Sequence, residues 1–335
     1  MQKFTLPLAA FAALLLTGTA FAAPAVVAST KPVHSLVSAV MGDVAVPDLI
    51  VRGSASPHNY SLRPSDAAAL ESADIVFWTG HGMELFLADA LDTLSGGAEV
   101  VELAEAPGIT LLPVREGGAF EAHSHGEDAH DHDHDHDHDN DHDLDHDHDH
   151  AHDHDHDDHA GHDHGEGDMH FWLDPENAKL MVTQIAATLS AADPENAATY
   201  QANAEAEQVR LDALTAELGD TLAPIAGKPF IVFHDAYQYF EARFGLEVAG
   251  TVTVSPEAMP GAARIDQLRA RVSELGATCV FAEPNFEPAI VRTIVEGTEA
   301  SAGVLDPEGA ALTEGPNLYP ELLRGLASGL LDCLG

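Results

Sequence analysis

The chain has 335 residues, 45% hydrophobic and 21% charged, which is enough for two ordinary globular domains or one large one. Against 14 Lys and Arg stand 56 Asp and Glu, a formal charge of −42, which excludes a polyanion-binding role because a phosphate backbone needs a basic footprint. The balance points to cations as partners, and 22 histidines sharpen that direction.

Residues 1–22 read as a secretory signal: Lys3, an apolar stretch over 4–16, then Ala20-Phe21-Ala22 as a small-residue cleavage site. No cysteine follows to take a lipid, and no later apolar run approaches the roughly 20 residues of a membrane helix. The expected mature product is soluble and exported. Short β-rich apolar runs then recur at 26–28, 49–51, 75–78, 100–103, 230–233, 248–252 and 279–282. Between most of them lie stretches with helical spacing, such as 61–72 and 263–275, so two sets of parallel α/β units are expected.

The two sets are separated by something different. Between Gly117 and Gly167 there is no fold signal: His and Asp alternate almost strictly, 17 histidines lie between His123 and His164, and both faces of any strand there would be polar. This reads as a disordered, metal-binding loop. Two near-copies follow, Asp174-Pro175-Glu176-Asn177 and Asp193-Pro194-Glu195-Asn196, each with an Asp at the N-cap and Pro at the first helical position. The second predicts a helix from Pro194 to Leu218, with Leu211, Leu214 and Leu218 as one apolar stripe. A helix of that length is able to tie two lobes together, and an ordinary surface helix is the competing reading. Only Cys279 and Cys333 are present, which in an exported protein reads as a disulfide stapling the last residues to a strand.

Five histidines fall outside the tract. His34, His58, His81 and His234 each follow an apolar run, and His170 opens MHFWLDP before a helix. Ligands of a parallel sheet gather outside the carboxyl ends of its strands, so these residues share a rim with Glu283 and Asp306. Neutral imidazole suits Zn²⁺, and three His with a carboxylate or water complete a tetrahedral site.

The stretches SPHNYSLRPSD, MHFWLDPENA, FHDAYQYF and VLDPEG, in this order, resemble the zinc-binding proteins of bacterial high-affinity zinc ABC importers, the ZnuA-like cluster A-I solute-binding family. The resemblance implies an α/β fold of two lobes, each with a four-stranded parallel sheet, joined by a long rigid helix with metal between the lobes. On this chain it gives a signal peptide at 1–22, an N-terminal lobe at 23–193 carrying the His/Asp-rich loop at 117–167, a linking helix at 194–222 and a C-terminal lobe at 223–335. It implies a periplasmic monomer that binds Zn²⁺ through His58, His170 and His234, with Asp306 at the motif position where relatives can supply a carboxylate, and hands it to a membrane permease. Cys279 and Cys333 match the disulfide of the zinc branch. One departure is Pro57, which stands where some relatives have Glu, so the fourth donor is left to Asp306, a water or a loop histidine. Manganese branches replace the third His by a carboxylate, and position 234 here is His.

Two other classes compete. A zinc hydrolase would use the same ligands with Glu283 as base, but the chain has no H-E-x-x-H and no G-x-S-x-G, and no enzymatic role is expected. A metal buffer or adhesin would use the tract alone, and leaves the histidines of the lobes unexplained. The tract itself is expected to be a dispensable collector of weakly held zinc, against the plainer reading of a solubilising loop.

Overall fold

Each of the seven apolar runs carries a strand, the second only at Leu49, and among the described residues an eighth strand, unannounced by hydropathy, completes the second sheet. A computed structural model describes residues 22–115, 120, 167–253, 260–276, 278–286 and 289–335. The signal-like segment up to residue 21 and the histidines of the tract lie outside the described residues. In chain order the first half contains β1 (Val26–Ala28), α1 (Lys31–Met41), β2 (Asp48–Leu49), α2 (Pro64–Ser72), β3 (Ile75–Trp78), α3 (Leu85–Leu94), β4 (Glu99–Glu102) and α4 (Pro175–Ala192). After α5 (Ala197–Leu222) the second half repeats the theme with β5 (Pro229–Val232), α6 (Gln238–Phe244), β6 (Glu247–Thr251), α7 (Ala262–Leu275), β7 (Cys279–Ala282), α8 (Ala289–Val295), β8 (Ser301–Val304) and α9 (Leu318–Leu334).

Both sheets are wholly parallel, with orders β2-β1-β3-β4 and β6-β5-β7-β8. The strand order therefore reverses between β1 and β3 in one lobe and between β5 and β7 in the other, which opens a crevice at the carboxyl end of each pair. Side chains alternate between two cores, as a period of two requires. Val26, Ala28, Ile75 and Phe77 enter the same large cluster as Phe230, Val232, Cys279 and Phe281, so the two lobes share a core along one face. Their neighbours Val27, Val76 and Trp78 pack into a separate cluster, as do Ile231, Phe233 and Val280 in the second lobe.

β8, the sequence SAGV, carries no hydropathy signal because it is a largely exposed edge strand of small residues. Gly303 has a packing reason: a Cβ there would sit 2.5 Å from Cε1 of Phe281 on the neighbouring strand.

The long helix crosses between the halves. Leu211, Leu214 and Leu218 are buried as the stripe required, and α5 packs against α1 and α4 of the first lobe and α6 and α9 of the second. Its 26 residues span about 39 Å. It begins at Ala197, three residues later than the capping pattern predicts. The reason is local: the Asp193 carboxylate accepts from Asn196 Nδ2 at 2.7 Å and from the Tyr200 hydroxyl at 2.8 Å, so it pins a turn and does not cap the helix. The first copy behaves as the sequence predicts, with Asp174 accepting from the backbone N–H of Glu176 at 2.9 Å.

Cys279 and Cys333 form a disulfide that ties α9 to β7, with Cα atoms 6.1 Å apart and a sequence separation of 54. Closing a loop of that size stabilises the fold by about 4 kcal/mol in the chain-entropy model. Replacing both cysteines by serine should lower the denaturant-unfolding free energy by about that amount, measured against the parent without reductant. A loss below about 1 kcal/mol would show that the staple constrains nothing the shared core does not already hold.

Candidate metal centre

Three of the five lobe histidines converge. The ligand atoms of His58, His170 and His234 all lie within 4.8 Å of one another, the one such group among the described residues. His234 lies two residues past the end of β5 and Glu283 directly follows β7, so this pair straddles the reversal point of the second sheet. His170 precedes α4 and His58 lies on the loop after β2, so the first lobe supplies two imidazoles and the second lobe one.

Carboxylates set the ring orientations. His170 Nδ1 faces Asp168 Oδ1 at 2.8 Å, and His234 Nδ1 faces Glu283 Oε1 at 2.7 Å. Both contacts are buried, and a carboxylate accepts, so each Nδ1 is the donating nitrogen and each Nε2 is turned toward the other ring. The two Nε2 atoms stand 3.3 Å apart. Two nitrogens bound to one tetrahedral Zn²⁺ at about 2.0–2.1 Å are separated by about 3.3–3.4 Å. His58 completes the triangle, with its ring centroid 5.4 Å from each of the other two, and its Nε2 is buried with no protein partner.

Protonation follows the surroundings. Burial holds His58 well below the ordinary imidazole value, and the neighbouring His234 and His170 push the same way. Burial also acts to lower His234, but the charge and hydrogen bond of Glu283 outweigh it and leave this imidazole raised. The centre thus combines a ring held neutral with one that competes more strongly for a proton.

The remaining candidates sit elsewhere. His34 lies on α1 and its Nε2 donates to the carbonyl of Pro47 at 3.1 Å, a packing role. His81 faces Glu102 through Nδ1 at 2.9 Å and lies against the Trp78 ring. Asp306 is not among the donors that converge within 4.8 Å: its carboxylate accepts from the backbone N–H of Glu308 at 3.2 Å and of Ala311 at 3.5 Å. The residues flanking His234 do not hold its ring. Asp235 pairs with Arg115, and the Tyr237 hydroxyl donates to Glu283 at 3.4 Å. Asp168 escaped the sequence reading, although it stands only two residues before His170.

The first lobe has its own carboxylate at the β1/β3 reversal. Glu84 is fully enclosed and accepts from Ser29 Oγ and from the backbone N–H groups of Thr79 (3.3 Å) and Gly80 (3.0 Å). Burial pushes its carboxyl up to about 7 against those hydrogen bonds.

The sequence profile of the family described as "Zinc-uptake complex component A periplasmic" matches residues 26–333. The chain is 59% identical over 309 residues to the high-affinity zinc uptake system protein ZnuA of Brucella abortus (strain 2308), covering 92% of this chain and 91% of that protein. Among solved structures, a crystal structure of ZnuA superimposes with a TM-score of 0.70 at 24% identity, covering 93% of this chain and all of that one. A Mn-bound periplasmic metal-binding protein from Candidatus Liberibacter asiaticus superimposes with a TM-score of 0.67 at 18% identity, covering 92% and 98%. At these identities the structural likeness establishes the two-lobed fold, and metal preference has to be argued from the donors.

The electrostatics give a test that needs no metal. In ¹⁵N NMR of the histidine-labelled, metal-free chain, His234 should titrate above the ordinary value near 6.5 and His58 should remain neutral well below it. Replacing Glu283 by Gln removes the strongest contribution that opposes burial, leaving only the charges of Asp235 and Asp168 against it, so the His234 titration should fall. An unchanged His234 titration in Glu283→Gln would contradict the assigned cause. The linked stability has opposite signs at the two rings. The His234 contribution is present at acid pH and lost as pH rises through its raised folded value; the His58 penalty appears as pH falls below 6.5.

Proposed function

The chain belongs to the family of periplasmic A components of zinc-uptake complexes, and from that premise we propose that it captures Zn²⁺ outside the inner membrane and delivers it to an ABC-type permease. The observation that carries this reading is the pair of buried Nε2 atoms 3.3 Å apart, each ring held from behind by a carboxylate, with a third imidazole beside them. Zinc is the cargo here. His58, His170 and His234 are its proposed ligands, and Asp306 is the proposed fourth donor, which would leave its backbone contacts at Glu308 and Ala311 to reach the ion. In this reading residues 1–22 are the export signal, 23–193 and 223–335 the two lobes, and 194–222 the link between them. Among the described residues no helix is long and apolar enough to cross a membrane.

The donor set favours zinc over manganese. Three imidazole nitrogens suit a borderline ion, and Mn²⁺ prefers oxygen. Two buried carboxylates behind the rings, Asp168 and Glu283, match the charge of a divalent ion without touching it. Glu283 Oε1 faces His234 Nδ1 and accepts from the Tyr237 hydroxyl, so this oxygen is engaged in orienting a proposed ligand, which supports binding over hydrolysis.

Chelator competition on the full chain, with free zinc buffered too low to fill exposed tract sites, should show one tightly held ion. His170→Ala and His234→Ala should each weaken it at least about tenfold, since a three-nitrogen site loses a ligand. His170→Ala binding zinc as tightly as the parent would overturn the assignment. A strain carrying the His234→Ala allele should fail to grow at limiting zinc and recover when zinc is added. Normal growth under limitation would remove the transport role while leaving the binding site intact.

A further inference from the structure

The residue that holds His170 is itself held by the other lobe. Asp168 has every polar group engaged. Its Oδ1 accepts from the backbone N–H of His170 at 3.0 Å and faces the ring Nδ1 at 2.8 Å. Its Oδ2 accepts from Gln238 Nε2 at 3.2 Å, and its backbone carbonyl accepts from the Tyr239 hydroxyl at 2.6 Å. Its backbone N–H donates to the carbonyl of Leu112 at 2.7 Å, beside the antiparallel bridge between Pro113 and Gly167.

Gln238 and Tyr239 open α6 in the second lobe, four and five residues after His234. Each of them bridges the same two arms of the first lobe. The Gln238 amide donates to Pro113 O at 3.1 Å as well as to Asp168, and the Tyr239 hydroxyl accepts from Leu112 N–H at 2.8 Å while it donates to Asp168 O. Tyr239 and Asp168 are both buried, so the bond between the Tyr239 hydroxyl and Asp168 O is shielded from water, and breaking it leaves an unpaired polar group behind. Nearby, Arg115 forks onto Asp235 and Glu241 and fixes the first arm to the same segment.

One short stretch of the second lobe thus supplies a ligand, His234, and also the clamp behind a ligand of the first lobe. We propose that Gln238 and Tyr239 act through Asp168 as positioning residues for His170, so that the second lobe aligns an imidazole presented by the first. The two rings whose Nε2 atoms stand 3.3 Å apart then owe their register to a single cross-lobe hydrogen-bond network. An imidazole free to rotate about its Cβ–Cγ bond would lose that register, because a ligand must be held to within a fraction of an ångström to keep its full worth. This inference rests on the reading of the three imidazoles as the zinc site.

A double-variant cycle on the full chain tests it, reading zinc affinity by chelator competition at low buffered free zinc. Asp168→Ala should weaken binding about 10–100-fold, the range for partners that orient a metal ligand. Asp168→Asn keeps an acceptor at Oδ1 and should recover part of that loss. Gln238→Ala combined with Tyr239→Phe should weaken binding about tenfold, at the lower end of the same range. Each change is then repeated with His170→Ala. There the further loss should shrink to within about twofold, since the residue through which they act is gone. If these substitutions leave the parent's affinity unchanged, or weaken binding equally with and without His170, the positioning role is wrong and the network is a structural clamp only. If Asp168→Ala does not fold, the Asn and the Gln238/Tyr239 variants carry the same comparison. A parent that holds no zinc tightly, or a His170→Ala variant equal to it, would instead defeat the zinc site itself.

Discussion

Two carboxylate–imidazole contacts fix how the rings of His170 and His234 face each other. Left to itself, a buried imidazole can present either nitrogen, and two of them in van der Waals contact gain nothing from facing their lone pairs at each other. Asp168 and Glu283 remove that freedom by accepting hydrogen bonds from the Nδ1–H groups of His170 and His234. The Nε2 atoms of the two rings then face each other 3.3 Å apart, a separation that a shared cation or a proton on His234 is able to bridge. The His58 ring, kept neutral by burial and by its two neighbours, adds a third lone pair.

The fold explains why these groups meet. The same strand order, used twice, places a reversal point at the carboxyl end of each sheet, and the second of these carries His234 and Glu283. The lobes are then joined by more than the long helix. One apolar cluster runs through both sheets. Trp172 donates its indole N–H to Pro307 O at 3.1 Å, and the Tyr319 hydroxyl donates back to Trp172 O at 2.6 Å. Lys31 donates to the carbonyls of Gly309, Ala310 and Leu312 across the same boundary. These contacts hold together the two halves that supply the three converging histidines.

Much of this was legible in the sequence, for identifiable reasons. Buried parallel strands are near-continuous apolar runs, so seven of the eight stood out; β8 did not, because an exposed edge strand of Ser, Ala and Gly has no such pattern. The Asp-Pro-Glu-Asn signal located α4 correctly but misplaced the start of α5, where Asp193 chose side-chain partners over the helix N-terminus. Placement at strand ends, with the family motifs, selected the three converging histidines. It also admitted His34 and His81, because a strand-end position says nothing about where a ring points. The partners of the rings were hidden for a related reason. Glu283 is 49 residues from His234 in sequence, and Gln238 reaches His170 only by way of Asp168. Such links are created by tertiary packing and leave no local pattern.

The central claim is that one ion sits between the lobes on three imidazoles. It is tested most directly by a crystal structure of the full chain grown with one equivalent of zinc, with anomalous differences collected at the zinc edge. The account predicts one dominant peak within about 2.0–2.1 Å of nitrogens from His58, His170 and His234. A dominant peak away from these rings, with the His170 and His234 Nε2 atoms still facing each other around nothing, would contradict it.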